Sequence, residues 1–455
     1  MQTLCATILL LAAVTFSFRT RFVQFRRLGR ALVLPLRGNT DSSDGVSPFE
    51  AASTSLAATI GTGNIAGVAG ALLLGGPGAL LWLWVSALLG MGLKYAEIVI
   101  AMRYRRRGND GVWRGGPMYC ISYGLPKRYS ILAILFSLCG MLVALGMGNL
   151  VQVNTVAESA EALYTVLSGR TGPQSLLYVR LTAGILAAVL LALVLSGGAL
   201  RVGRAASLLV PVMSLLYLLF CFVILLARAP ALPGVFRLIF ESAFSPQAAL
   251  GGTAGIGFLT TFRVGLSRGV FSHEAGLGTS AIAHSGAEGI SPQDQGLFGV
   301  FEVFFDTIVM CSVTAFVILT SGVYDVSRYA LASGTPLLSQ LTTGAQLTAE
   351  AFSTVFGRFG GGFVAVSLAL FAFSTLLGWS YYGQRAAAYL MGERVIPVYK
   401  AAFLLAAIAG CMMRLEPVWA LSDTFNGLMA LPNLAGVLAL RRQVIAEWCR
   451  YKHNL

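Results

Sequence analysis

Long apolar runs recur along the whole chain, separated by short polar connections in which arginine is frequent. Each run comes near or exceeds the roughly 20 residues that a helix needs to cross the hydrocarbon of a bilayer. We count eleven, at about 2–18, 47–74, 78–102, 129–164, 175–198, 204–228, 247–266, 294–322, 353–390, 396–414 and 416–440. The runs at 129–164 and 353–390 are too long for one straight crossing and predict helices that tilt or extend beyond the bilayer. The segments of about ten alternating residues that mark a membrane β-barrel are absent from the sequence. The pattern predicts an all-α polytopic membrane protein with eleven transmembrane helices.

Composition agrees. Of the 455 residues, 56% are hydrophobic and 11% are charged, against about 25% charged in a soluble domain. Mean hydropathy is +0.76. The seven cysteines, at 5, 120, 139, 221, 311, 411 and 449, show no disulfide framework or metal spacing. The N-terminal MQTLCATILLLAAVTFSFRTRF has no basic residue ahead of its apolar run, so it reads as a first membrane helix and not as a signal peptide.

A net charge of +13 invites a nucleic-acid partner, but the positions of the charges argue against one. Of the 32 Lys and Arg residues, 24 lie in alternate connections and the C-terminal tail, seven lie on the opposite side, and Lys94 sits within a run. Basic residues collect on the cytoplasmic face. The bias therefore predicts a multi-pass protein of the cell's inner, cytoplasmic membrane, with its N-terminus outside and its C-terminus inside. The lipid bilayer accounts for the charge, and nothing points to a nucleic acid or an obligate protein partner.

Setting the first run aside leaves ten, which divide five and five. The expected organisation is an N-terminal helix with a basic cytoplasmic segment (1–46), a first repeat (47–228), a second repeat (247–440) and a cytoplasmic tail (441–455). The leading run of the first repeat carries GTGNIAG at 61–67, and that of the second carries GGTAGIG at 251–257. The two leading runs start from opposite sides, so the repeats are inverted. Glycine-interrupted helices at matching positions of two inverted halves are the best sequence pointer to a transporter's binding site. An unwound helix frees backbone groups, which hydrocarbon does not tolerate unless a ligand or protein takes them up. The half-helix N-terminus suits a carboxylate, and the freed carbonyls suit a hard cation such as Na⁺. Close helix packing is the other use of such glycines, but two matched clusters favour a site. Asn64 adds a side-chain amide to it.

The stretch ATIGTGNIAGVAGALLLGGPGALLWLWVSALLGMGLKYAE (58–97) resembles the alanine or glycine:cation symporter family. So do GGPMYCI (115–121), GNLVQVNTVAE (148–158), RVGLSRGVFSHEAGLGTSAIAHSGA (263–287), FAFSTLLGWSYYG (371–383) and NGLMALPN (426–433). The resemblance implies the five-plus-five inverted-repeat, leucine-transporter-like fold, with two broken helices. It implies import of alanine or glycine with Na⁺, or with H⁺ in some members. It also implies site residues. The Thr62 and Gly63 amides would meet the substrate carboxylate, with Gly61 in the same break. Thr59 would face the ammonium, as would the carbonyls of Thr253, Ala254 and Gly255, and Gln152 and Trp379 would line the pocket. One Na⁺ would lie between the Ala57 and Ile60 carbonyls and the Ser374 and Thr375 hydroxyls. A second would use Thr59 and Asn64. Apart from the resemblance, Asp306 with Thr307 puts an acid midway along an apolar run, which reads as a further ion-site candidate or as a packing hydrogen bond at a helix interface. Thr253 stands where the family often has Phe, and GIGFLTTF (255–262) is less polar than in many members.

Several residues have plainer readings. Lys94 and Glu97 are one turn apart and read as a structural ion pair. His273 and Glu274 read as a cytoplasmic gate contact, and Tyr381 as either a pocket-lining or an interface-belt residue. An enzyme is not expected, because none of the three histidines sits mid-run beside a partner. The alternatives to a Na⁺ symporter are a proton-coupled symporter, or a transporter-like amino-acid sensor or channel.

Overall fold

The computed structural model describes residues 2–37, 45–108, 111–244, 257–325, 337–413 and 416–453. Among these residues, six helices are long and apolar enough to cross a membrane: Ala79–Tyr104, Lys127–Ser168, Pro173–Leu195, Gly198–Ala227, Pro292–Thr320 and Arg358–Met391. Pro48–Thr59 and Gly63–Gly75 make a seventh as a pair bent by 51°. Helices also occupy the remaining expected runs, at Gln2–Arg19, Phe258–His273, Ile396–Gly410 and Glu416–Ala439. Length and apolarity therefore support six or seven crossings, where the sequence pattern predicts eleven.

Two long runs resolve differently. Lys127–Ser168 is continuous but carries a π-helical turn at Gly146–Leu150. The 353–390 run is divided between Leu337–Phe356 and Arg358–Met391. The join is Gly357, whose φ of +57° no β-branched or bulky residue adopts readily.

Pro173–Leu195 and Gly198–Ala227 bury only 22% and 33% of their apolar windows, against 83% for Ala79–Tyr104. Their outward side chains, such as Leu186, Leu193, Leu208, Leu215 and Phe222, are exposed. A contiguous apolar surface of this kind belongs against lipid. The more buried helices form the interior, and three of them carry π turns mid-length: Gly63–Gly67, Gly146–Leu150 and Phe304–Cys311. π turns in α-helices frequently mark functional positions.

Candidate functional site

The bent pair begins with a strong start signal. Ser47 accepts from the Glu50 N–H at 3.2 Å, the Glu50 carboxylate accepts from the Ser47 N–H at 2.9 Å, and Pro48 opens the helix. These are the capping box and the favoured first-position proline. The helix ends at Thr59, because Ile60 turns extended with ψ of 97°. The Asn64 side chain holds the turn from the far side, its Oδ1 accepting from the Gly61 N–H at 2.9 Å. The break read from GTGNIAG therefore stands at residues 60–62.

Arg358–Met391 crosses directly beside this break. A Cβ on Gly378 would lie 2.7 Å from both the backbone N and the Cβ of Ala58, so only glycine permits the approach. A Cβ on Gly61 would lie 2.7 Å from Thr375 Oγ1. Ser374 donates to the Ile60 carbonyl at 3.3 Å and to Phe371 O at 2.8 Å, and Thr375 donates to Phe371 O at 3.0 Å. Ile60, Gly61, Ser374 and Thr375 thus converge, and Ala57 is fully buried one turn earlier. Oxygen donors of this type suit a hard cation.

Asn64 and Asp306 meet as well. Asn64 Nδ2 donates to Asp306 Oδ1 at 2.7 Å and to the Asp306 carbonyl at 3.0 Å. Asp306 Oδ2 accepts from Ser272 at 2.7 Å and from Thr307 at 2.8 Å. The acid read as an ion-site candidate therefore ties the break to the π turn of Pro292–Thr320. Thr59 turns its hydroxyl back to Ser55 O, at 3.3 Å.

Gln152 follows the Gly146–Leu150 turn. Its Nε2 donates to Met147 O at 3.2 Å. Its Oε1 is buried and has no hydrogen-bond partner among the described residues. Trp379 is buried against Gly148, where a Cβ would lie 2.5 Å from the Trp379 Cβ. Gly63 differs from these tight glycines, since a Cβ there would meet nothing within 4 Å among the described residues. A cavity of about 410 Å³ opens on the side of the 169–172 turn, with Thr62, Glu158, Glu161, Arg180, Gln346 and Leu368 in its wall. Of the substrate residues expected from sequence, Thr62 is the one in that wall. Thr253, Ala254 and Gly255 lie outside the described residues.

The expected Lys94–Glu97 ion pair is not formed. Lys94 Nζ lies 3.1 Å from Glu302 Oε2. Glu97 instead accepts from the Gly276 N–H at 3.2 Å and from Asn433. His273 meets Ser86 at 3.1 Å, and Glu274 accepts from Thr279 at 2.8 Å. Glu302 also binds His284 Nε2 at 2.5 Å and Ser55 Oγ at 2.8 Å. Sequence reasoning missed Glu302. Its signal is a carboxylate within the apolar FGVFEVFFDT, one helical turn before Asp306.

The model of the sodium:alanine symporter family matches residues 1–455. The sodium/alanine symporter AgcS of Methanococcus maripaludis is 40% identical over 444 residues, covering 97% of this chain and 92% of the relative. A probable sodium/glutamine symporter, GlnT, of Bacillus subtilis is 35% identical, covering 97% of this chain and 86% of its own. A putative sodium/proton-dependent alanine carrier, YrbD, of the same organism is 34% identical, covering 98% and 89%. Among solved structures, MhsT in complex with L-phenylalanine shares the fold at a TM-score of 0.60 and 13% identity, with 87% of this chain and 89% of that chain covered. The Eremococcus coleocola manganese transporter bound to an aromatic bis-isothiourea compound gives 0.52 and 15%, with 88% and 78% covered. The chain belongs to the sodium:alanine symporter family.

Proposed function

We propose that this protein imports alanine and glycine together with Na⁺ by alternating access. The observation that carries the reading is the break at residues 60–62, pressed against Ser374 and Thr375 by the Gly378–Ala58 approach. Backbone carbonyls freed by the break and two hydroxyls opposite them supply the oxygen donors Na⁺ requires. Among the described residues nothing lies within 4 Å of a Cβ on Gly63, which supports a carboxylate at the N-terminus of the outer half-helix, where backbone N–H groups and the helix dipole favour an anion. The Oε1 of Gln152, unpartnered among the described residues, offers a buried acceptor to the ammonium. Leaving such an acceptor unmatched costs about 1–3 kcal/mol, which a bound ammonium recovers. Relatives named as a sodium/alanine symporter and a probable sodium/glutamine symporter support the ion.

The cavity beyond Thr62 is the route from the outside to this site, on the side that the basic-residue bias assigns as external. Calorimetric titration of the purified protein tests the reading. Alanine and glycine bind tightly in NaCl and at least tenfold more weakly when choline replaces Na⁺, because linked ligands raise each other's affinity by the same factor. Equal affinity in both salts overturns sodium coupling.

A further inference from the structure

We propose that Ser55 and Glu302 form an inner latch, which holds the first half of the broken helix shut while the outer cavity is open. The inference rests on the alternating-access reading above.

Both ends of Pro48–Thr59 are tied to one buried network. At the start, Gln295 Nε2 donates to the Pro48 carbonyl at 3.4 Å and to His284 Nδ1 at 2.6 Å. His284 Nε2 in turn pairs with Glu302 Oε1, at 2.5 Å. One turn before the break, Ser55 donates to Glu302 Oε2 at 2.8 Å, and Lys94 reaches the same oxygen at 3.1 Å. Lys94 also donates to the His273 carbonyl at 2.9 Å. Lys94, His284 and Glu302 are all fully buried. The network thus joins the inner half of the broken helix to Ala79–Tyr104, Phe258–His273, Thr279–His284 and Pro292–Val303.

The chemistry of the contact suits a latch. A hydroxyl bound to a carboxylate is a charge-assisted hydrogen bond, stronger than a neutral one. A buried ion pair broken by losing one partner is strongly unfavourable. Ser55 can leave Glu302 without that cost, because Lys94 and His284 stay with the carboxylate. The inner half can therefore part from the network with no charge stranded. The position is also right. The cavity lies beyond Thr62 on one side of the break, and this network closes the other side. Ser55 is on this reading a positioning residue that touches neither substrate nor ion.

The test uses the full chain, without its native cysteines, carrying Ala349→Cys in the cavity wall as a reporter for an impermeant thiol reagent. In Na⁺-free medium, Ser55→Ala slows external labelling of that cysteine up to about tenfold. The apparent affinity for external Na⁺ falls by a matching factor, since it scales with the outward-open fraction. Ser53→Ala, a buried hydroxyl on the same helix that is not a partner of Glu302, changes neither. Labelling that stays the same or speeds up with Ser55→Ala overturns the latch, as does an equal effect of Ser53→Ala. Sodium-driven alanine uptake by the parent protein is measured alongside. Its absence removes the transport reading, whereas uptake with unchanged labelling removes the latch alone.

Discussion

Gly378→Ala adds one methyl group at the point where Arg358–Met391 touches the broken helix. The new Cβ would lie 2.7 Å from the Ala58 backbone N. Ordinary van der Waals contact begins near 3.4 Å, so the helices must separate by about 3.4 − 2.7 = 0.7 Å. Backbone cannot rotate away as a flexible side chain would, and overpacking of this kind costs about 1–3 kcal/mol. Ser374 lies one helical turn from Gly378. Its 3.3 Å bond to the Ile60 carbonyl then stretches towards about 4 Å, beyond hydrogen-bond range. An ion held between those two oxygens loses coordination from one side. We expect at least a tenfold rise in the Na⁺ concentration that half-activates alanine uptake, which is about 1.4 kcal/mol of ion binding. The assay is Na⁺-dependent uptake of labelled alanine into proteoliposomes, with thermal unfolding in parallel to show that the variant is folded. A folded Gly378→Ala protein with the parent's Na⁺ curve would refute the reasoning that places the ion at this crossing.

Three further expectations follow from the same geometry. Ser374→Ala combined with Thr375→Ala removes both hydroxyls and shifts the Na⁺ activation curve at least tenfold upward, with high Na⁺ partly restoring uptake; an unmoved curve places the ion elsewhere. Gly63→Leu leaves the melting temperature near that of the parent, because its Cβ meets none of the described residues within 4 Å, yet abolishes alanine binding; retained binding would take the carboxylate away from this helix. Gln152→Leu removes a buried oxygen that is unpartnered among the described residues together with the Nε2 bond to Met147 O, two opposing effects that leave stability close to the parent's, while alanine affinity falls about tenfold or more through the lost charge-assisted bond; unchanged affinity in titration calorimetry excludes Gln152 from the ammonium site.

The break was legible because its cause is local. The glycines and the asparagine stand together inside one apolar run, and the side chain that shapes the turn, Asn64, lies within the same seven residues. The crossing partner was less legible from physics alone. Ser374 and Thr375 sit in an ordinary apolar helix, and only the family resemblance pointed to them. The tight approach at Gly378 depends on the path of two distant segments, which no local pattern encodes. The Lys94 partner was misread for the same reason. Spacing of three residues makes Glu97 the obvious helical neighbour, but tertiary packing delivers Glu302 and gives Glu97 to Gly276 and Asn433 instead. The single run at 353–390 hid a turn because Gly357 and Arg358 stand between apolar stretches, Val355 and Phe356 before and Phe359 onward, that read together as one run.

The central claim is that an inward Na⁺ gradient drives the amino acid across the membrane. Proteoliposomes containing the purified chain, with equal pH on both sides, give the direct measurement. With Na⁺ outside and K⁺ inside, labelled alanine accumulates above its external concentration and leaks back when the Na⁺ gradient is collapsed. Alanine that only equilibrates, or that accumulates with a pH gradient and no Na⁺, contradicts the account.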